Sequence, residues 1–395
     1  MKTLLFLAAT SLTAACSWSQ FDALSDTTTV RATERPDGIK ATEYGVSIAG
    51  ATLPGEMSGG KVAVLSSGSG NYSTLILDPG GVAQSLGDNE PLAPHTIDTV
   101  TTKGTVLFDG MGQIALVDNS NVGTIVALSG APDALTLEQQ IPTPATPDAT
   151  AFVNGQLVVG VTVTQPMTAN VFSARGTAVT SCVLNNGATP VAPVAPAAIA
   201  IDGATLWIYT KAGDLDGYPL AALETCTVAA PISPTTAKLT GPAAASGGHL
   251  DIVTDGSSKY AILTSFDTAS TSTGAVQVVN ITATATPVLS GAVIAAPGVK
   301  AAAYATFDGV GLLVLGYPSR ANGSTAGAGA VDLHTFSSGV LAVTATDTLS
   351  IPSSDSNHLF GRAVTTTRYN GKPIVVVAAD NVVYSFYQTS LYAKR

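Results

Sequence analysis

One short pattern recurs along the whole chain: Asp-Gly or Asn-Gly followed by an apolar run. It stands as DGMGQIALVD from Asp109, NGQLVVGVTV from Asn154, DGATLWIYTK from Asp202 and DGSSKYAILTS from Asp255. It returns as DGVGLLVLGYP from Asp308 and NGKPIVVVAAD from Asn370, and a Gly-Gly version, GGKVAVLSS, begins at Gly59. The copies lie about fifty residues apart, a spacing that belongs to chains built from one supersecondary unit per repeat. Asp-Gly and Asn-Gly suit two-residue hairpins, because both central residues of a type I′ turn need positive φ. Each copy therefore predicts a tight hairpin joining one strand to the next.

Around each turn a four-strand unit can be traced. The segment before it is small and rich in Ala and Thr, as in AAIAI (197–201) and AAAYATF (301–307). The segment after it is almost continuously apolar, as in LWIY (206–209) and IVVV (374–377). An apolar run without alternation predicts a strand covered on both faces. A third strand opens after Gly in GTIVALS, GAVQVVNI and GAVDLHTF, and a looser fourth follows in ALTLEQQIP and TATDTLSIP. Pro-rich links such as IPTPATP and AAPISPTT then lead onward, since a residue without an N–H cannot sit in a central strand. Small first strands and bulky second strands suit a propeller, whose first strands converge on a narrow axis. The expectation is an all-β fold: a seven-bladed β-propeller of four-stranded antiparallel blades over residues 41–395. A parallel β-helix is the alternative, though its coils are shorter and need no hairpin in each.

Composition is consistent with a folded chain. Of 395 residues, 46% are hydrophobic and 11% charged, the opposite of a disordered sequence. Seventeen basic and twenty-seven acidic residues leave a formal charge of −10 with no basic cluster, which argues against nucleic acid as a partner. The first residues, MKTLLFLAATSLTAAC, have a charge at Lys2, a short apolar core and small residues before Cys16. They read as a secretory signal over residues 1–15, too short for a membrane helix. Residues 16–40 read as a lipidated N-terminus and polar tether.

Two family resemblances follow. Ala14-Ala15-Cys16 resembles the lipobox of bacterial lipoproteins, although Thr13 stands where Leu is usual. That resemblance implies lipidation at Cys16 and, with Ser17 next, anchoring in the outer membrane of the bacterial envelope. FGRAVTTTRYNGKPIVVVAADNVVYSFY (360–387), YGVSIAG from Tyr44, and GYP at 316–318 followed by GAVDLHTF resemble FG-GAP repeats. This is the repeat family of the integrin α-subunit head, and the resemblance implies a seven-bladed propeller used for binding. FG-GAP repeats often carry a calcium loop with several carboxylates, and calcium needs roughly six to eight oxygen ligands. Here Asp109, Asp202, Asp255 and Asp308 stand alone in their loops and read as turn residues, so no metal or other cofactor is expected.

Few residues could carry chemistry. His95, His249 and His358 stand at or before first strands, which raises a zinc hypothesis, but their distances to the following turn differ and they read as polar loop ends. Neither G-x-S-x-G nor H-E-x-x-H occurs. The N-x-S/T triplets at Asn71, Asn280 and Asn322 arise readily in a Ser/Thr-rich chain. Cys182 and Cys226, on presumed fourth strands of consecutive blades, form a disulfide candidate.

Binding residues favour loops on a rigid scaffold, and the varied loops lie opposite the hairpins. The candidates there are Asp118, Asp214, Asp216, Asp267, Arg320 and Asn322, with Arg320 suited to a carboxylate. The favoured function is a non-catalytic, envelope-anchored binding or adhesion module with an unidentified protein or glycan partner, touching the membrane only through its N-terminal lipid. A structural scaffold of an envelope complex and a propeller enzyme of lyase, glycosidase or quinoprotein type are the alternatives.

Overall fold

The computed structural model describes the strands lying between residues 48 and 184, and residues 195–225, 232–236, 239–267, 273–307, 310–322, 324–350, 359–369, 372–379 and 383–387. The signal, Cys16 and the tether fall outside them.

The described strands are antiparallel and form seven sheets, each built from consecutive strands. The first holds β1 (Ile48–Thr52), β2 (Gly60–Leu65), β3 (Asn71–Leu77) and β4 (His95–Thr96). The second holds β5 (Gly104–Phe108), β6 (Ile114–Asp118), β7 (Thr124–Ser129) and β8 (Thr136–Pro142). The third holds β9 (Pro147–Val153), β10 (Gln156–Val161), β11 (Thr168–Ser173) and β12 (Val179–Val183). The fourth holds β13 (Pro196–Asp202), β14 (Thr205–Thr210), β15 (Asp214–Pro219) and β16 (Leu239–Thr240). A short helix, α1 (Leu220–Thr225), follows β15. The fifth holds β17 (Gly248–Asp255), β18 (Ser258–Ser265), β19 (Ala275–Asn280) and β20 (Val288–Ala295). The sixth holds β21 (Ala301–Phe307), β22 (Val310–Tyr317), β23 (Ala330–Ser337), β24 (Val340–Leu341) and β25 (Asp347–Leu349), the last two both pairing with β23. The seventh holds β26 (Ala363–Tyr369), β27 (Lys372–Ala378) and β28 (Val383–Tyr387).

The all-β reading and the four-strand unit are thus present. First strands lie side by side: β1 against β5, β5 against β9, β9 against β13, β13 against β17, β17 against β21, and β21 against β26. β26 in turn lies against β1.

The described core sits between successive sheets. Along β14, Leu206 and Ile208 pack towards Ala149, Cys182 and Leu184 of the third sheet, while Trp207 and Tyr209 pack towards Leu250, Ala261 and Leu263 of the fifth. Alternate side chains of one strand serve two neighbours, which is why the sequence runs apolar without a break. The same arrangement recurs where Val276 and Val278 meet Leu313, Leu315 and Phe336, and where Leu312 and Val314 meet Val375 and Val377.

The hairpins differ from expectation by one residue. Asp202 pairs with Thr205 and Asp255 with Ser258, so the central pairs are Gly203-Ala204 and Gly256-Ser257 rather than Asp-Gly. Gly203 has φ 53° and Gly256 φ 62°, whereas Ala204 and Ser257 do not have positive φ. Positive φ at the first central position alone is the type II′ turn. The aspartates close the ladders instead, and their carboxylates reach the next sheet. Asp202 binds Lys259 Nζ through both oxygens at 2.8 Å, and Asp255 Oδ2 accepts from the Ser338 N–H.

Glycine before the third strand also has a physical cause. A Cβ on Gly213 would lie 2.5 Å from the Gly241 carbonyl oxygen, on Gly274 2.4 Å from that of Ala296, and on Gly329 2.1 Å from that of Phe360. At each point the link leaving the sheet crosses directly over the start of its third strand.

Candidate loop-end site

The loops between second and third strands lie at the end of each sheet opposite its hairpin. The longest described one, residues 318–329, joins β22 to β23 and is built around Arg320. The Arg320 N–H donates to the Tyr317 carbonyl at 3.1 Å, and the Gly329 N–H donates to the Arg320 carbonyl at 2.8 Å. Its guanidinium donates twice to Asp332, Nη1 to Oδ1 and Nη2 to Oδ2, both at 2.7 Å, and lies 3.8 Å from the centre of the Tyr317 ring. Thr348 Oγ1 also donates to Asp332 Oδ1, at 2.8 Å.

Charge and burial act together here. Burial alone would pull the Arg320 pKa down, but the Asp332 carboxylate holds it above its ordinary value. Burial, then the charge of Asp332, pushes the Tyr317 phenol up to about 12, against the opposing influence of Arg320. Arg320 is therefore a loop organiser whose donors already face a carboxylate of the same chain. Asn322 and Thr325 exchange backbone hydrogen bonds of 3.1 and 3.0 Å at the tip. Ser319, Ala321, Ser324 and Ala326 point to solvent.

Asp267 plays a similar part after β18. It is buried, Oδ1 accepts from the Thr273 N–H at 3.0 Å and Oδ2 from the Gly298 N–H at 2.8 Å, and its carbonyl accepts from Lys300 Nζ. The carboxylate ties the loop to the link that leaves the sheet. It too is an internal fastening rather than a free ligand.

The stretch KAGDLDGY is a larger correction. Asp214 and Asp216 belong to β15, are buried, and pair across the ladder with Thr240 and Ile208. Asp214 Oδ1 accepts from Thr240 Oγ1 at 2.9 Å, and its N–H donates to Thr210 Oγ1 at 3.0 Å. The acidic letters suggested a loop, but the third strand starts directly after the tight approach at Gly213. Asp118 ends β6 opposite Gly104, and its side chain lies outside the described residues.

Cys182 lies on β12 and is disulfide-bonded. Its sulfur sits 3.3 Å from the Leu223 carbonyl, a contact and not a hydrogen bond, because a disulfide sulfur has no proton to donate. Cys226 falls outside the described residues. The residues before it form α1, not the fourth strand expected around ETCTV.

Of the three histidines considered for zinc, His95 lies in β4 with its side chain outside the described residues, and His358 lies outside them altogether. His249 Nε2 is 3.1 Å from Asp251 Oδ2. Burial lowers its pKa, but Asp251 outweighs that and holds the imidazole above its ordinary value. Among the described residues no group of three or more His, Cys, Asp or Glu could hold a metal ion.

No protein-family model matches the chain, and no curated protein matches it either. Among solved structures it is similar to the computationally designed Ika8 protein, with a TM-score of 0.50 at 11% sequence identity. That match covers 89% of this chain and 100% of the designed one. A likeness at this identity concerns the fold alone.

Proposed function

We propose that the chain is a seven-bladed β-propeller of FG-GAP type, lipid-anchored through Cys16 in the bacterial envelope. It serves there as a non-catalytic binding or adhesion module, and its loop end meets a protein or glycan. The cyclic contacts of the first strands, with β26 returning to β1, support the closed ring. The FG-GAP reading draws support from three motif glycines that interlock. A Cβ on Gly316 would lie 2.1 Å from the Gly361 oxygen, and Gly329 lies against the backbone of Phe360. We further assign Cys226 as the partner of Cys182, since Leu223, three residues before it, already touches that sulfur.

The loop at 318–329 carries the functional reading. A charged, stacked fastening holds it while small side chains face outward. A loop already ordered loses little freedom on binding, which is what a recognition surface needs. The test is capture from envelope extract, together with a glycan array. The parent chain should retain a partner that Ser319→Glu/Ser324→Glu loses and that Ser257→Glu, at a hairpin tip, keeps. Loss at Ser257 with retention by the loop pair would place recognition at the opposite end. No ligand in either screen would favour the scaffold role.

A further inference from the structure

Among the described residues the seventh sheet has three strands, where each of the other six has at least four. Its outermost described strand is β28, VYSFY. That strand is rich in aromatic and β-branched residues and has neither charge nor Pro, so it lacks the usual protections of an open edge. The other sheets show what belongs beside it. In each, the last strand lies at the outer edge, and the link after it leads to the first strand of the next sheet. The order is β4 to β5, β8 to β9, β12 to β13, β16 to β17, β20 to β21 and β25 to β26. Since β26 lies against β1, the same rule gives the vacant place to residues that precede β1.

Two observations select which residues. The links from an outer strand to the next first strand run from 4 residues (143–146) to 13 residues (350–362). Counted back from Ile48, the missing strand should end between residues 34 and 43. Pro also marks the ends of four outer strands. Pro142 closes β8, Pro242 and Pro297 stand two residues beyond β16 and β20, and Pro352 stands three beyond β25. Pro36 is the one Pro between Met1 and Ile48. Just before it runs TTTVRATE (27–34), rich in the β-branched residues that strands favour. With Pro36 two residues beyond its end, this strand stops at Glu34, and its link to β1 equals the 13 residues between β25 and β26.

We propose that the open edge of β28 is a docking site for the chain's own N-terminal segment, with residues 27–34 pairing antiparallel to it as the fourth strand of the seventh sheet. The added strand would bring Arg31, Glu34 and a following Pro to an edge that β28 alone leaves unguarded, as Glu138 and Pro142 do on β8. It would also tie the first part of the chain to the last sheet. One consequence rests on the reading of Cys16 as lipidated: only residues 17–26 then separate the anchor from the sheets.

Hydrogen–deuterium exchange read by peptide mass spectrometry, on the full chain carrying Cys16→Ser, tests the pairing independently of any anchor. In this parent, residues 27–34 should exchange about a hundredfold more slowly than residues 17–24, as a paired strand does beside an unpaired segment. Val30→Pro removes a ladder donor, and should speed exchange about tenfold at both 27–34 and 383–387 while leaving β18 unchanged. Ala23→Pro should change neither segment. If Val30→Pro loosens β18 as well, Val30→Gly should still act on 27–34 and 383–387 more than on β18. The proposal is overturned if residues 27–34 exchange as fast as residues 17–24, or if protection of 383–387 survives Val30→Pro. Protection found at residues 388–395 in place of 27–34 also overturns it, as does protection of 383–387 that grows with protein concentration and so belongs to a second copy.

Discussion

The two ends of the same sheets are held by different means. At the hairpin end, Gly203 and Gly256 turn the chain in open space, and a Cβ on either would meet nothing within 4 Å. Neighbouring sheets are joined there by charged side chains, Asp202 with Lys259 and Asp255 with the Ser338 N–H. At the loop end the backbones themselves meet at Gly213, Gly274 and Gly329, and Arg320 and Asp267 fasten loops from within. The turns at 203 and 256 tolerate change because those glycines answer to φ alone. The three loop-end glycines do not, because space is taken up at each of them and φ is positive as well at Gly213 and Gly329.

The largest expected effect is at Gly329, with φ 87° and a Cβ that would lie 2.1 Å from backbone. Gly329→Ala should cost about 3–5 kcal/mol in denaturant unfolding, combining left-handed strain with an overpacked contact. Gly203→Ala, strained but unobstructed, should cost only about 1–2 kcal/mol. Equal costs would erase the contrast between the two ends.

Charged fastenings sharpen the same contrast. Arg320→Ala leaves the largely buried Asp332 carboxylate with Thr348 and should cost about 2 kcal/mol, measured by thermal unfolding. Lys259→Ala removes a pair whose lysine is 43% exposed, and should cost about 0.5 kcal/mol or less, shrinking further in high salt.

The fold was legible where one cause dominates. The turn glycines and the Gly before several third strands report backbone constraint, and the unbroken apolar run of LWIY reports cover on both faces, so letters and structure agree there. The candidate site was not legible, because acidic letters serve several ends. Asp214 and Asp216 read as loop but lie buried on β15, and Asp202 reads as turn but reaches the next sheet. Arg320 gave no sign of Asp332 twelve residues on, since the pair closes across a loop whose path only the fold supplies. A Tyr three residues before Arg320 and an Asp on the strand that follows were the available signal.

The smallest expected effect is a pH dependence at His249. Its folded pKa is raised by Asp251, so its stabilisation is complete below the ordinary value of about 6.5 and is lost as pH rises through the folded value. As the pH rises above about 6.5 the parent should lose stability, by less than about 1 kcal/mol given the exposure of the side chain, relative to Asp251→Asn. In that variant burial alone lowers the imidazole pKa, so the trend should reverse. A parent and variant with the same pH slope would remove the pair from the account.

The central claim is that the sheets close into a ring, and it is tested most directly by linking the first sheet to the last. Lys61 stands opposite Ala51 beside the first hairpin, and Lys372 opposite Tyr369 beside the last. β1 lies against β26, so a ring whose hairpins share one end would set the two lysines side by side. Treatment of the dilute folded chain with a lysine-reactive cross-linker, followed by peptide mass spectrometry, should give a Lys61–Lys372 link within single molecules. It should give no link from Lys61 to Lys259, whose sheet a closed ring would set on the far side. An open row of sheets would separate Lys61 from Lys372, and their failure to link in the folded monomer would contradict the account.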